Sequence, residues 1–194
     1  GIFRISEINT QLVPNISNAE TLNTMILVKN QEGLKDFYEL ISRSHIEFFG
    51  MKRPRIPKSL LREKRKGFLI ASSATNAERN SGELVNMYMR GAEKEQIKER
   101  AEFYDYIEIQ PVSNYINLID EKEISREQLE EMNRWFYNLG KELGKIVVAV
   151  GDTEYLDEED IISRNVLLLG SGNLWKKDGI YNFSDRKLYF KTTE

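Results

Sequence analysis

Two carboxylate residues, Asp152 and Glu154, follow an apolar run and are the side chains best placed to do chemistry. The run, residues 146–150, is rich in β-branched residues and is followed by Gly151. This pattern predicts a strand buried on both faces, as in a parallel sheet flanked by helices. Functional residues in such sheets follow the carboxyl ends of the strands. Because two carboxylates with water hold magnesium only weakly, the sequence predicts at most a weak Mg²⁺ site here.

Other titratable groups that could support catalysis are few. The sequence contains one histidine, His45, and no cysteine, whereas a catalytic metal site needs about three protein ligands. His45 falls on the apolar face of a predicted helix, where we expect a packing or capping role. Glu108 alternates with Ile107 and Ile109 and should point inward, where a carboxylate needs a partner. It could be functional or paired with a basic residue, and we favour the pairing.

Residues 52–66 form a basic segment with eight basic residues and one acid, Glu63. Pro54 and Pro57 keep its first half extended, and a short helix is predicted from Ser59. Such a cluster suits phosphate backbones, because each cation can displace a condensed counterion. A solvated basic loop explains it equally well, and the lack of interleaved aromatic residues argues against base stacking. The candidate nucleic-acid contacts are Lys52, Arg53, Arg55, Lys58, Arg62, Lys64, Arg65 and Lys66.

Composition narrows the classes of protein that need considering. The chain has 194 residues, 40% of them hydrophobic, with 28 basic and 31 acidic residues and a net charge of -3. It can bury one sizeable core, and no overall positive field points to nucleic acid. Without cysteine, disulfides and thiolate metal sites are excluded. No apolar run approaches the roughly 20 residues of a membrane span, so we expect a cytoplasmic protein with no membrane partner.

Strands and helices alternate along the chain, which predicts an α/β fold. Strands are expected near 24–29, 68–72, 106–110 and 146–150, as neighbours in one sheet. Asn30 should cap the first helix. The clearest helix should span 125–143, because Ser125 and Gln128 form a capping box and Gly144 is placed to end it.

The pieces that carry these patterns resemble the PHP (polymerase and histidinol phosphatase) domain of PolC-type bacterial DNA polymerase III alpha subunits. The matching pieces occur in the order found in that family. They are ILVKNQEGLKDFYELISRSHIEFF from Ile26, PRIPKSLL from Pro54, AEFYDYIEIQP from Ala101 and VGDTEYLDEED from Val150. The resemblance implies an α/β fold that forms part of a distorted (β/α)7 barrel, with mainly parallel strands and flanking helices.

The resemblance also implies a domain organisation. Residues 1–19 would be the lead-in after the proofreading exonuclease, which this family inserts inside its PHP domain. Residues 20–194 would be a PHP-like domain that lacks the first strands, together with their His-x-His and Asp-His metal motifs. The sheet would then have an open edge, which invites pairing with another chain.

Metal-ligand positions that the resemblance assigns to this chain depart from the family pattern. Asn23 stands where a histidine is expected, and Ala74 stands where a cysteine is expected, before an apparent insertion of about five residues. The final Asp-x-His or Asn-x-His motif reads Asp152-Thr153-Glu154. The resemblance therefore implies no catalytic residue, no metal site and no cofactor, apart from weak Mg²⁺ at Asp152 and Glu154.

Two functions follow from the resemblance. The first is a non-catalytic, degenerate PHP segment with a structural role in a replicative polymerase. It would contact the remainder of the alpha subunit, and also DNA or other replisome subunits. The parent protein would be a DNA-directed DNA polymerase with 3'-5' exonuclease activity, while this segment alone would be inactive. The second is a metal-dependent phosphoesterase or pyrophosphatase, which the single histidine disfavours.

Overall fold

The computed structural model describes residues 2–8, 21–50, 53–74, 82–120, 124–170, 176–177, 180–181 and 188–191. Lys52, the apparent insertion at 75–80 and most of the predicted lead-in segment lie outside the described residues. The chain divides into two compact units. The first comprises Gly1–Glu108 and Phe136–Val148, and the second comprises Ile109–Trp135 and Ala149–Glu194.

Eight strands are present among the described residues. They are β1 (Ile2–Ile8), β2 (Leu22–Val28), β3 (Ile56–Pro57), β4 (Phe68–Ser72), β5 (Tyr106–Ile109), β6 (Ile146–Ala149), β7 (Lys176–Lys177) and β8 (Ile180–Tyr181). Six of them form one sheet in the order β3-β1-β2-β4-β5-β6, and β7 and β8 form a separate pair. The four strands expected from the sequence are consecutive neighbours, which confirms that prediction.

The large sheet contains both strand orientations. β1 runs parallel to β3, and β4 runs parallel to β5. β2 runs antiparallel to β1 and to β4. Consequently the amino end of β2 lies beside the carboxyl end of β4, which brings Asn23 and Thr24 next to Ser72 and Ser73. The distorted (β/α)7 barrel stays an expectation.

Seven helices accompany the strands in the described residues and confirm the α/β class. They are α1 (Gln31–Ile46), α2 (Lys58–Glu63), α3 (Glu83–Met89), α4 (Lys94–Ala101), α5 (Ile116–Asp120), α6 (Arg126–Glu142) and α7 (Ile161–Gly170). None of the helices in the described part of the chain combines the length and apolar character that crossing a bilayer requires.

Local caps fix the two long helices as the sequence predicts. The Asn30 side chain accepts a hydrogen bond from the Gly33 N–H at 2.8 Å, which satisfies a donor that the first turn of α1 leaves unpaired. Before α6, the Gln128 N–H donates to Ser125 Oγ at 3.2 Å, and the Ser125 N–H donates to Gln128 Oε1 at 2.8 Å. Beyond α6, Gly144 has a φ of 63°, the left-handed conformation that ends many helices.

Burial of the apolar run 146–150 on both faces was a wrong prediction. β6 is the last strand of the sheet, and Ile146 is 72% exposed. Only the face that carries Val147 is covered, because a Cβ added at Gly140 of α6 would lie 2.2 Å from Val147 Cγ2. β-branched residues favour a strand wherever it lies in a sheet, and whether it becomes an edge depends on distant parts of the chain.

Two glycines allow α1 to approach the turn before β4. A Cβ added at Gly33 would lie 2.3 Å from the Gly67 carbonyl oxygen. That same oxygen accepts a hydrogen bond from the Lys29 N–H at 3.0 Å. The contact holds the start of α1 against the chain that enters β4, so it helps to set the position of the sheet's strand ends.

We predict that Gly33→Ala destabilises the chain by about 1–3 kcal/mol, because backbone atoms must move to admit the methyl group. Urea unfolding followed by circular dichroism measures this loss. Gly170→Ala is the matched control, since a Cβ added there meets nothing within 4 Å. Equal stability of the two variants would show that the close approach of Gly33 to Gly67 is unimportant.

Candidate functional site

Polar residues of the first unit meet at one end of the sheet, where β2 begins and where β4 and β5 finish. Thr24 pairs with Ser72 in the β2–β4 register. The Ser73 N–H donates to the Asn23 carbonyl oxygen at 3.2 Å, and the Ala74 N–H donates to Glu108 Oε2 at 3.1 Å. The structure therefore places two of the predicted ligand positions, Asn23 and Ala74, at one end of the sheet with Glu108 beside them.

Glu108 is buried at this end of the sheet. Besides the Ala74 amide, it accepts a hydrogen bond from the Tyr106 hydroxyl at 3.4 Å. Burial raises the pKa of Tyr106, and the nearby Glu108 charge raises it further, so the phenol remains a hydrogen-bond donor. These two hydrogen bonds stabilise the carboxylate. Its expected pairing with a basic residue stays a prediction.

Asp152 and Glu154 lie in the second unit, in the turn after β6. Asp152 has a φ of 50°, a left-handed conformation that aspartate tolerates better than most residues. Glu154 forms an ion pair with Arg164 Nε, and its N–H donates to the Leu188 carbonyl oxygen at 2.8 Å. Asn114 Nδ2 donates to the Gly151 carbonyl oxygen at 2.8 Å. Protein groups thus hold this turn on both sides of Asp152.

The residues at the four positions that the resemblance assigns as ligands, Asn23, Ala74, Asp152 and Glu154, do not fit a histidine-based metal centre. Alanine offers no side-chain donor at position 74, and the amide of Asn23 is a weak ligand for zinc. The Glu154 carboxylate is already neutralised by Arg164. His45 lies on α1 with an exposed ring, and its Nδ1 is 2.9 Å from the Ile41 carbonyl oxygen. Nowhere in the described ranges do three His, Cys, Asp or Glu side chains gather as metal ligands do.

Two cations of the basic segment are buried inside the first unit. Lys58 forms an ion pair with Glu83, which also accepts a hydrogen bond from the Tyr104 hydroxyl at 3.0 Å. Arg55 is 1% exposed. Within the described part of the chain, its Nε and Nη1 have no hydrogen-bond partner. Neither side chain presents its charge to the surface.

Two further cations of the segment are held by acidic side chains. Lys64 Nζ lies 2.9 Å from Glu39 Oε2 and 3.4 Å from Asp36 Oδ1. Arg65 Nη2 lies 2.7 Å from Asp105 Oδ1. Asp105 also accepts the Ile70 N–H through its other oxygen at 2.8 Å, so this pair is tied to the start of β5 and to β4.

An aromatic ring from outside the segment contacts its cations. Lys58 Nζ lies 4.8 Å from the Phe103 ring centroid, Arg65 Cζ lies 5.2 Å from it and Arg62 Cζ lies 5.7 Å from it. These are cation–π distances. Local sequence patterns do not predict the contact with Phe103, because this residue is remote from the segment in sequence, and they do not predict the roles of Glu83 and Arg164 either. The only local sign of Glu83 and Arg164 in the sequence is a charged residue near the start of a predicted helix.

The basic segment therefore divides into inward-facing and outward-facing charges. Lys52 lies outside the described residues. Of the remaining candidates, Arg53, Arg62 and Lys66 are exposed. Contact with nucleic acid stays a prediction for this reduced set.

Comparison with known families and proteins gives two findings. The PHP domain model matches residues 6–118, a range that includes Asn23, Ala74 and Glu108 but not Asp152 or Glu154. Proteins named DNA polymerase III PolC-type are similar along the chain. That of Clostridium perfringens is 36% identical over 197 residues, covering 99% of this chain and 13% of that protein.

Two other relatives agree with this pattern. The DNA polymerase III PolC-type of Thermotoga petrophila is 39% identical over 197 residues, covering 100% of this chain and 13% of that protein. The corresponding protein of Caldanaerobacter subterraneus subsp. tengcongensis is 42% identical over 200 residues, with the same two coverages, 100% and 13%. The chain thus spans a small part of the length of the curated relatives it matches.

The buried ion pair of the basic segment generates a stability prediction. Lys58→Met leaves the Glu83 carboxylate buried without its cation, which should cost about 3–5 kcal/mol. Lys66→Met removes the same charge from an exposed position and should change stability by no more than about 0.5 kcal/mol. Chemical denaturation of both variants makes the comparison. A Lys58→Met loss as small as that of Lys66→Met would mean that Lys58 is not a structural residue.

Proposed function

The chain belongs to the PHP domain family, and we propose that it is a non-catalytic, structural segment of a cytoplasmic PolC-type DNA polymerase III. In this role the segment supports the folded polymerase and contacts the rest of that polypeptide. The DNA-directed DNA polymerase and 3'-5' exonuclease chemistry belongs to the whole protein. The similarity to PolC-type proteins along the whole chain supports this assignment.

The loss of metal-ligand chemistry carries the non-catalytic part of the proposal. Hydrolysis of phosphate esters by a metal centre needs ions that activate water and neutralise developing charge. Ala74 contributes no ligand, and Arg164 satisfies the Glu154 carboxylate within the chain. An arginine beside a candidate ligand also opposes the binding of a cation, because the guanidinium is always charged.

Family membership favours one alternative function, a metal-dependent phosphoesterase or pyrophosphatase. That function would require Asp152 and Glu154 to bind a divalent cation strongly. Mg²⁺ bound through one or two carboxylates and water depends largely on substrate phosphates for its affinity. Weak Mg²⁺ at this turn is therefore compatible with the structural role, and tight Zn²⁺ or Mn²⁺ is not.

We expect the purified 194-residue chain, dialysed without chelator, to retain far less than one equivalent of zinc or manganese. Elemental analysis measures the metal, and hydrolysis of a phosphate monoester and of pyrophosphate measures activity. Asp152→Ala should change neither value. Glu159→Gln is the matched control, because it removes an exposed carboxylate outside the candidate turn.

One equivalent of metal, together with hydrolysis that Asp152→Ala abolishes and Glu159→Gln preserves, would overturn the structural role. The same result would establish the phosphoesterase alternative.

A role beside DNA predicts weak, salt-dependent binding through the exposed residues of the basic segment. Binding of the chain to duplex DNA should be on the order of micromolar or poorer and should fall steeply with salt. Replacing Arg53, Arg62 and Lys66 by alanine should flatten the slope of log K against log salt, by about 0.9 for each phosphate that the variant no longer neutralises. Fluorescence anisotropy across a salt series gives the slope.

This choice of variants avoids Lys64 and Arg65, whose charges already form ion pairs within the chain. A triple replacement of Lys29, Lys35 and Lys94, which are also exposed, changes the net charge equally and serves as the control. If both triple variants shift the slope alike, the effect is one of net charge and the basic segment is only a solvated surface.

A further inference from the structure

Helix α7 in the second unit exposes its apolar side chains. Ile162 is 69% exposed, Val166 is 61% exposed and Leu167 is 74% exposed. At 100° per residue these three positions lie on one side of the helix, together with Ser163 and Gly170. This outer arc contains no charged residue, although the outer face of a solvent-exposed helix is normally polar or charged.

The inner side of α7 carries both polar and apolar residues, since Arg164 and Asn165 lie there beside the half-buried Ile161, Leu168 and Leu169. Its one charged residue, Arg164, points inward and forms the ion pair with Glu154. Asn165 is buried. Among the described residues, no partner reaches Asn165 Oδ1 or Arg164 Nη1. The helix therefore has apolar residues on both its inner and its outer side, and because a helix that is apolar all round is normally buried, we infer that another surface covers its outer arc.

The turn before α7 and the chain end beside it add two more exposed apolar side chains. Leu156 is 66% exposed and Phe190 is 60% exposed. They are neighbours, because the Phe190 N–H donates to the Leu156 carbonyl oxygen at 3.2 Å. Apolar residues scattered singly on a surface need no explanation, whereas apolar residues exposed together are typical of interaction sites.

Acidic residues stand at one end of this region. Asp157, Glu158 and Glu159 lie between Leu156 and the first turn of α7, and all three are exposed. They would repel a phosphate backbone or an anionic lipid surface. A protein surface that is apolar at its centre would complement the apolar side chains, and basic residues at its edge would complement the acidic ones.

We propose that the outer face of α7, defined by Ile162, Val166 and Leu167, docks onto an apolar, basic-rimmed surface elsewhere in the same polymerase polypeptide. The inference rests on the proposed function, because that function supplies the occupant. This chain covers 13% of the length of its relatives, so a longer polypeptide of that kind offers ample protein surface. The docked face then fixes the segment against the rest of the enzyme.

Thiol labelling tests the docking, because the 194-residue chain contains no cysteine. Val166→Cys places one thiol on the outer face, and Glu131→Cys places one at an exposed position of α6 as the matched control. Alkylation rates at both positions are measured by mass spectrometry in the 194-residue chain and in the longer PolC-type polypeptide that the proposed function expects. Primer extension by that longer polypeptide is measured in parallel.

In the 194-residue chain both thiols should react at similar rates at every protein concentration. In the longer polypeptide the alkylation rate of the thiol at position 166 should fall at least about tenfold, because the centre of an interface excludes water. The thiol at position 131 should keep its rate. Far-ultraviolet circular dichroism verifies that both variants fold.

Equal rates at position 166 in both polypeptides would overturn the docking, and intact primer extension in that experiment would leave the proposed function standing. Absence of primer extension would instead count against the proposed function. Protection of position 166 in the 194-residue chain that grows with its concentration would show that a second copy covers α7, which also overturns the inference.

Discussion

The ion pair between Glu154 and Arg164 is the interaction on which both the site and the surface of the second unit depend. It occupies the carboxylate that could have served as a metal ligand after β6. It also draws the only charged residue of α7 to the inner side of the helix, which leaves an uncharged outer arc. The Arg164 guanidinium keeps its charge at any physiological pH, while the Glu154 carboxylate is 43% exposed, so added salt weakens the pair. The same contact thus supports both proposals, that of a turn without a metal role and that of a helix whose outer face docks.

The first unit follows the same principle of internal charge compensation. Lys58 is neutralised by Glu83 in a buried pair, and Arg65 is neutralised by Asp105, which also accepts the Ile70 amide. Breaking a buried pair such as Lys58–Glu83 is costly. These cations therefore stabilise the fold, and they are not free to bind a ligand. At the strand ends, Glu108 is held by an amide and a hydroxyl. The Asn23 carbonyl oxygen nearby accepts the Ser73 N–H.

The sequence predicts those features that depend on neighbouring residues. The Asn30 cap, the Ser125–Gln128 capping box and the four adjacent strands follow from local patterns, and the structure confirms them. Burial of β6 could not be predicted, because β-branched residues favour both edge and central strands. The acidic partners of the basic segment could not be predicted either, because Glu83 lies 25 residues from Lys58 and Asp105 lies 40 residues from Arg65. Long-range pairing decides which charges reach the surface.

The thermal unfolding midpoint, with and without metal, tests most directly whether Glu154 belongs to Arg164 or to a cation. A ligand at a thousandfold excess over its Kd stabilises the folded state by about 4 kcal/mol. Because the ion pair already satisfies Glu154, the midpoint should be the same in excess Mn²⁺ or Zn²⁺ as in chelator. A rise of several degrees with metal that disappears in Glu154→Gln would contradict the account, since it would show that the carboxylate leaves Arg164 to bind the ion.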